Sequence, residues 1–244
     1  MNRYYYDLHM HSCLSPCADD DMTPANMAGM ASLNGLQLVA LTDHNSCGNC
    51  EAFLKACRTY GIVGVPGMEL TTSEEVHMVC LFPTLETALA FQDIVKQNRR
   101  PIKNKPEIFG NQLYMDAEDN VLGTEPTLLI PAGNLSIEDA YSRVIELGGA
   151  CFPAHINRSS NGLLGILGDF PPSPTFPTVE LNGMEDRDEY ILKYCLQDRI
   201  VLSSSDAHHL WDIQMAGPSL ELDDEPYSSA RVRQALITFL RGGR

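Results

Sequence analysis

The apolar positions of this chain change period repeatedly along its length. Residues 36–41 form a near-continuous apolar run, as expected of a strand buried on both faces. Residues 3–8 read as a short strand rich in tyrosine, and 62–65, 76–82, 150–154, 178–181 and 199–203 give five more. Helical stretches lie between them. Thr23-Pro24 pairs an N-cap with proline at the first helical position, and the predicted helix runs to Asn34 with Gly35 as its stop. Further helices are expected over 51–60, closed by Gly61, and over 85–97. Another runs from the N-cap Ser136 to Gly148-Gly149, and two more cover 187–196 and 229–240. Seven strands separated by helices predict parallel strands joined by right-handed crossovers. The expected fold is therefore an α/β, TIM-like barrel, with an open doubly wound sheet as the alternative.

Two stretches break the pattern. Residues 98–133 carry Pro101, Pro106, Pro126 and Pro131, with a hairpin signal at Glu118-Asp119-Asn120. They read as a lid-like insertion on a single domain spanning 1–244. Residues 162–177, rich in Gly and Pro, read as a loop.

Composition narrows the partners. At 44% hydrophobic and 20% charged residues, the 244-residue chain has the balance of a folded domain with a sizeable core. A formal net charge of −15 argues against long nucleic acid, whose binding needs a basic surface. It leaves a small phosphorylated substrate open, because bound divalent ions reverse the field locally. No run of about 18 apolar residues predicts a membrane span, and Met1–Asp7 lacks the apolar stretch of a signal peptide. The expected location is the cytoplasm, where eight cysteines are thiols or metal ligands before they are disulfides.

The chemistry-bearing residues are not scattered. The first predicted strand ends in His9-Met10-His11, the second in Asp43-His44, and the third leads to Glu69. His77 lies in the fourth, His155 ends the fifth, and Asp206-Ala207-His208 ends the last. In a strand, residues i and i+2 point the same way, so His9 with His11, and Asp206 with His208, can chelate an ion. A lone histidine is more often a satisfied core residue. Six of the seven histidines on or just after strands, at the end where barrel loops converge, point instead to a multi-metal site. Imidazole and carboxylate together suit manganese, iron or zinc.

The stretches Asp7-Leu8-His9-Met10-His11-Ser12, Leu41-Thr42-Asp43-His44-Asn45, Gly67-Met68-Glu69, Pro153-Ala154-His155 and Ser205-Asp206-Ala207-His208 resemble the PHP superfamily, named for polymerase and histidinol phosphatase. The resemblance implies a distorted (βα)7 barrel that binds three divalent ions (manganese, iron or zinc) and hydrolyses phosphoesters. It implies His9, His11, Glu69 and Asp206 around one ion, and Glu69 bridging to a second held by His77 and His155. A third ion would take His44, His208 and an acidic residue after the first motif. There the chain departs from the usual Ser-Asp-Gly, reading Ser15-Pro16-Cys17-Ala18-Asp19-Asp20-Asp21. Counting back from Pro24 selects Asp19, with Asp20 as the alternative.

Arg158, three residues past His155, is the candidate to hold a phosphate, since its fork can bind two oxygens. A surface arginine is the plain alternative. Asp43 is expected to orient a neighbouring imidazole. Cys13 and Cys17 follow the first motif, and Cys47 and Cys50 the second. They read either as ordinary loop thiols, as redox-sensitive thiols, or as a fourfold zinc or iron–sulfur site. The function expected is a phosphoesterase acting on a small metabolite or nucleotide through a metal-activated water. The alternatives are a 3′–5′ exonuclease-like activity on short oligonucleotides and a non-catalytic, metal-stabilised regulatory module.

Overall fold

Alternate residues of the central strands go to two different apolar layers, and this alternation organises the molecule. A computed structural model describes residues 1–183 and 187–243. Strand β1 (Asn2–Asp7) leads to helix α1 (Pro24–Leu33), β2 (Leu38–Leu41), α2 (Cys50–Thr59), β3 (Val63–Thr71), β4 (His77–Leu81) and α3 (Leu85–Asn98). A short helix α4 (Pro106–Phe109) and the strands β5 (Leu113–Met115) and β6 (Val121–Thr124) follow. Then come α5 (Ile137–Glu146), β7 (Ala150–Pro153), α6 (Leu163–Leu167), β8 (Thr178–Glu180), α7 (Arg187–Lys193) and β9 (Ile200–Leu202). A 3-10 turn (Leu210–Asp212), β10 (Ser219–Leu222) and α8 (Ser229–Leu240) complete the chain.

One apolar layer takes Tyr4, Tyr6, Leu38, Ala40, Val63, Val65, Val79, Leu81 and Phe152 against α8. The other takes Val39, Leu41, Met68, Leu70, Met78 and Cys80 against α1, α2, α3 and α5. The period of two makes the consequence direct: Glu69 shares the parity of Val63 and Val65, and His77 that of Val79 and Leu81. Both polar side chains therefore point to the concave side of the sheet, above its apolar filling.

The main sheet runs β10-β1-β2-β3-β4-β7, and β8 pairs with β9 in parallel. At the mouth the ring is drawn further round. Ile156 N–H donates to Glu180 O beside β8, and His11 N–H and Asp206 N–H exchange bonds with Ala207 O and His9 O. The result is a mixed α/β fold with a curled, barrel-like sheet.

Three local expectations are corrected. The strands are not all parallel, since β4 pairs antiparallel with β3 and with β7. The reason is length. Strand β3 continues past Pro66-Gly67 to Thr71, leaving too short a link to His77 for a crossover, which takes a dozen or more residues. Gly67 permits the continuation, because a Cβ there would lie 2.8 Å from the Cys80 carbonyl oxygen. Within the predicted loop 162–177, Leu163–Leu167 forms a helix. Finally, β10 pairs antiparallel with β1 from a segment that gave no strand signal. Caps behave as composition predicts: Thr23 and Ser136 accept the N–H groups of Asn26 and Asp139.

The hairpin of β5 and β6 packs on the loops after β1 and β2. Leu113 N–H donates to Cys13 O, Asn49 Nδ2 to Leu113 O, and Asn111 Nδ2 to Asp20 Oδ2. Gly48 is needed at this contact, since a Cβ there would stand 2.3 Å from the Tyr114 ring.

Candidate metal centre

One buried carboxylate gathers most of the histidines. Glu69 Oε1 lies 2.8 Å from His77 Nδ1, 3.0 Å from His155 Nε2 and 3.2 Å from His9 Nε2. Its other oxygen lies 3.0 Å from His44 Nδ1 and 3.4 Å from His11 Nε2. The backbone holds it there: Glu69 N–H donates to Thr42 O, and Asn45 N–H donates to Glu69 O. Asp206 adds a second carboxylate, with Oδ1 at 3.1 Å from His11 Nε2 and 3.3 Å from His9 Nε2.

The donors converge without satisfying one another. His44 Nδ1 and His77 Nδ1 come close to Glu69 but are not aligned to hydrogen-bond to it, and both are buried without a partner. His9 Nε2 and His11 Nε2 face each other at 3.2 Å. Burial opposes charge on His9, yet Glu180, Asp206 and Glu69 outweigh it and raise its pKa well above the ordinary value. Burial, with His208 and His44 nearby, pushes His11 well below it. For Glu69, burial favours the neutral acid, but His77 and His9 outweigh it and hold the carboxyl well below the usual range. Buried carboxylates and imidazole nitrogens that face one another, several without a hydrogen-bond partner, form a cage of metal-type donors. Divalent cations fit it. Ligand atoms of His9, His11, Glu69 and Asp206 lie within 4.8 Å of one another, as do those of His44, Glu69 and His77, and of His11, His44 and His208.

The backbone is bent to make the cage. Asn45, His155 and Asp206 have φ of 49°, 27° and 54°, the left-handed region that costs a side chain about 1–2 kcal/mol. Each follows or ends a strand that supplies a donor.

The remaining expected residues fall in different places. Arg158 is half-exposed and its Nη1 lies 2.6 Å from Asp206 Oδ2, so it belongs to the mouth of the site. Asp43 is buried, and among the described residues its side chain accepts hydrogen bonds from serines, not from an imidazole. Its Oδ1 accepts from Ser12 N and Ser15 Oγ, both at 2.7 Å, and Oδ2 accepts from Ser12 Oγ at 2.6 Å. Ser15 Oγ in turn meets His11 Nδ1 at 3.1 Å. The orienting contact expected of Asp43 thus runs through a serine. Asp19 stands apart from the cage, its carboxylate 3.6 Å from His209 Nδ1.

The four loop cysteines do not converge. Cys13 reaches toward Leu113 O, while Cys47 and Cys50 are buried on Gly67 O. A fourfold thiolate site is therefore not formed. Cys17 is exposed. Desolvation opposes its ionisation, but the influence of His44 and His208 outweighs this and brings the thiol down to about 6.

Sequence reading passed over Glu180 at the end of β8. Its Oε1 lies 2.9 Å from His9 Nδ1 and accepts the His155 N–H at 3.2 Å. A carboxylate on Nδ1 keeps the proton there and turns the Nε2 lone pair inward. The available signal was a lone acid closing an apolar strand, Thr178-Val179-Glu180. Glu180→Gln should weaken metal binding by roughly 10–100-fold while leaving the fold intact. Competitive titration against a metallochromic chelator measures this, and unchanged affinity would remove Glu180 from the site.

Comparison with known proteins agrees with this geometry. The model of the PHP domain family matches residues 7–148. A 5′-3′ exoribonuclease of Haemophilus influenzae is 26% identical over 163 residues, 60% of this chain and 58% of its own length. Among solved structures, a lesion-specific endonuclease from Pyrococcus furiosus superposes with a TM-score of 0.67 at 19% identity, over 99% of this chain and 56% of that one. The chain thus spans a little over half the length of these two relatives. A candidate metal-dependent phosphoesterase from Bifidobacterium adolescentis superposes with a TM-score of 0.60 at 20% identity, over 95% of both chains.

Proposed function

The chain belongs to the PHP family, and from that premise we propose that it is a metal-dependent phosphoesterase acting on a small phosphorylated metabolite or nucleotide. The observation that carries the reading is Glu69, one buried carboxylate with three imidazoles within 3.2 Å of Oε1 and a fourth 3.0 Å from Oε2. That arrangement suits a carboxylate shared between divalent ions. His9, His11, Glu69 and Asp206 would hold one ion, Glu69, His77 and His155 a second, and His44 and His208 would contribute to a third. When bound, such ions supply Lewis-acid polarisation of a phosphoryl oxygen and activation of the attacking water.

The protein's own groups do the positioning. Glu180 and Ser15 set the two His9 and His11 rings, and Asp43 sets Ser15. Arg158 uses Nη1 on Asp206, leaving the rest of its fork toward solvent to receive phosphate oxygens. The hairpin over 113–124 and the strand-end loops would shape the pocket.

A second reading, cleavage of short oligonucleotides, has two supports. The relatives above include a 5′-3′ exoribonuclease and an endonuclease, the former of opposite polarity to the 3′–5′ activity considered from sequence. Trp211 is 76% exposed and lies flat on His209, centroids 4.6 Å apart, immediately after the His208 motif. An exposed aromatic face there suits a nucleobase. The test is turnover of 4-nitrophenyl phosphate, mononucleotides and short oligonucleotides with manganese, iron(II) or zinc added. Phosphate release from the small esters is expected. Turnover of oligonucleotides alone would favour the second reading, and no turnover of any ester with metal bound would refute both.

A further inference from the structure

We propose that Trp211, stacked on His209, is a subsite for a nucleobase, so that the phosphoester taken by the metal centre is one carried by a nucleoside. The inference rests on the metal-dependent phosphoesterase reading above and narrows its substrate to one chemical class.

Position is the first observation. Trp211 lies three residues beyond His208, whose imidazole groups with those of His11 and His44. Three residues of chain span about 11 Å at most, which is the scale of a nucleotide. A phosphate held at the ions and Arg158 would therefore leave its base within reach of the indole.

The second observation is an open aromatic face. The indole lies parallel to the His209 imidazole, with an interplanar angle of 5° and centroids 4.6 Å apart. That contact occupies one face only. Trp211 is nonetheless 76% exposed, so the opposite face is open to solvent. A tryptophan serving the fold alone would be expected to bury more of its ring. Every base offers a flat face that stacks on an aromatic side chain. Stacking is an uncharged contact, and a net charge of −15 does not oppose it.

Third, the platform is fixed from below. Asp212 N–H closes the turn on His209 O at 2.9 Å. Ile213 next to it is buried, and its carbonyl accepts from Asn34 Nδ2 at 2.8 Å. Gln214 Nε2 donates to Tyr6 O at 2.6 Å. Under the indole, His209 Nδ1 lies 3.6 Å from Asp19 Oδ2, and Asp19 N–H donates to His208 O. The loops after β1 and β9 thus hold one ring pair between them, and Asp19, apart from the cage, steadies its lower ring. An exposed side chain on a pinned turn is pre-organised and loses little freedom when a ligand arrives.

Trp211 is the single tryptophan of the chain, so its fluorescence reports on this subsite directly. The metal-loaded full chain is titrated with adenosine 5′-monophosphate, with the dinucleotide ApA, and with ribose 5-phosphate as the ester that lacks a base. The adenosine compounds should quench the fluorescence, and ribose 5-phosphate should not. Quenching by the monophosphate alone assigns a free nucleotide, and quenching by ApA alone the end of a chain; either supports the subsite. In Trp211→Ala, kcat/KM for the quenching compound, taken relative to ribose 5-phosphate, should fall about tenfold to a hundredfold. The loss should lie in KM, and Trp211→Tyr should recover most of it. No quenching by either adenosine compound, or a relative kcat/KM unchanged in Trp211→Ala, would overturn the proposal. Quenching without turnover of any ester, with metal bound, would instead refute the phosphoesterase reading and leave the base subsite standing.

Discussion

Replacing Glu69 by glutamine should lower kcat/KM by about a thousandfold or more and strip metal from the protein. Glutamine keeps the shape but has one neutral carbonyl oxygen where the carboxylate presents two anionic ones. The His77, His155 and His9 nitrogens around Oε1 and the His44 nitrogen near Oε2 would lose their common anion. Lewis-acid stabilisation of a phosphoryl transition state is worth several kcal/mol, and about 4 kcal/mol corresponds to three decades of rate. Metal content by inductively coupled plasma mass spectrometry, measured beside the rate, separates loss of ions from loss of positioning. Circular dichroism controls for folding. A Glu69→Gln protein with a full metal complement and near-normal turnover would remove Glu69 from the centre of the mechanism.

Chelation should have the largest effect on stability. The cage buries Glu69, Asp206 and Glu180 around His9, and without cations their charges are met by imidazoles and, at Asp206, by Arg158. An ion present at about a thousand times its Kd stabilises the folded state by about 4 kcal/mol. For a chain of this size each kcal/mol moves Tm by roughly 2–4 °C. Removing a single tightly held ion should therefore lower Tm by about 8–16 °C, and removing several should lower it more. Differential scanning calorimetry before and after treatment with a strong chelator gives the shift. Manganese, iron(II) or zinc added back should restore both Tm and turnover. A Tm indifferent to chelation, with metal shown to be removed, would mean that the cage folds without help from its ions.

Much of the site was legible because metal ligation demands particular residue types at fixed strand ends. His9, His11, His44, Glu69, His77, His155, Asp206 and His208 were picked out by type and position, and the fold brings all eight together. Glu180 was missed for a physical reason: its partner His9 is 171 residues away, and one acid closing a strand carries no local signature. The acidic loop was less legible for a similar reason. Spacing from Pro24 singles out Asp19, and the structure leaves its carboxylate beside His209. In the same way, counting cysteines suggested a fourfold site, and only packing sends Cys47 and Cys50 to the Gly67 carbonyl.

By itself, then, the sequence determined the class of elements, the helix caps and most of the candidate metal donors, because period, capping and ligand chemistry are local properties. Tertiary structure decided the antiparallel turn from β3 into β4, the placement of β10 against β1, and the partners of His9 and His11. Those outcomes depend on where distant strand ends meet around one buried carboxylate, and no local pattern encodes that meeting.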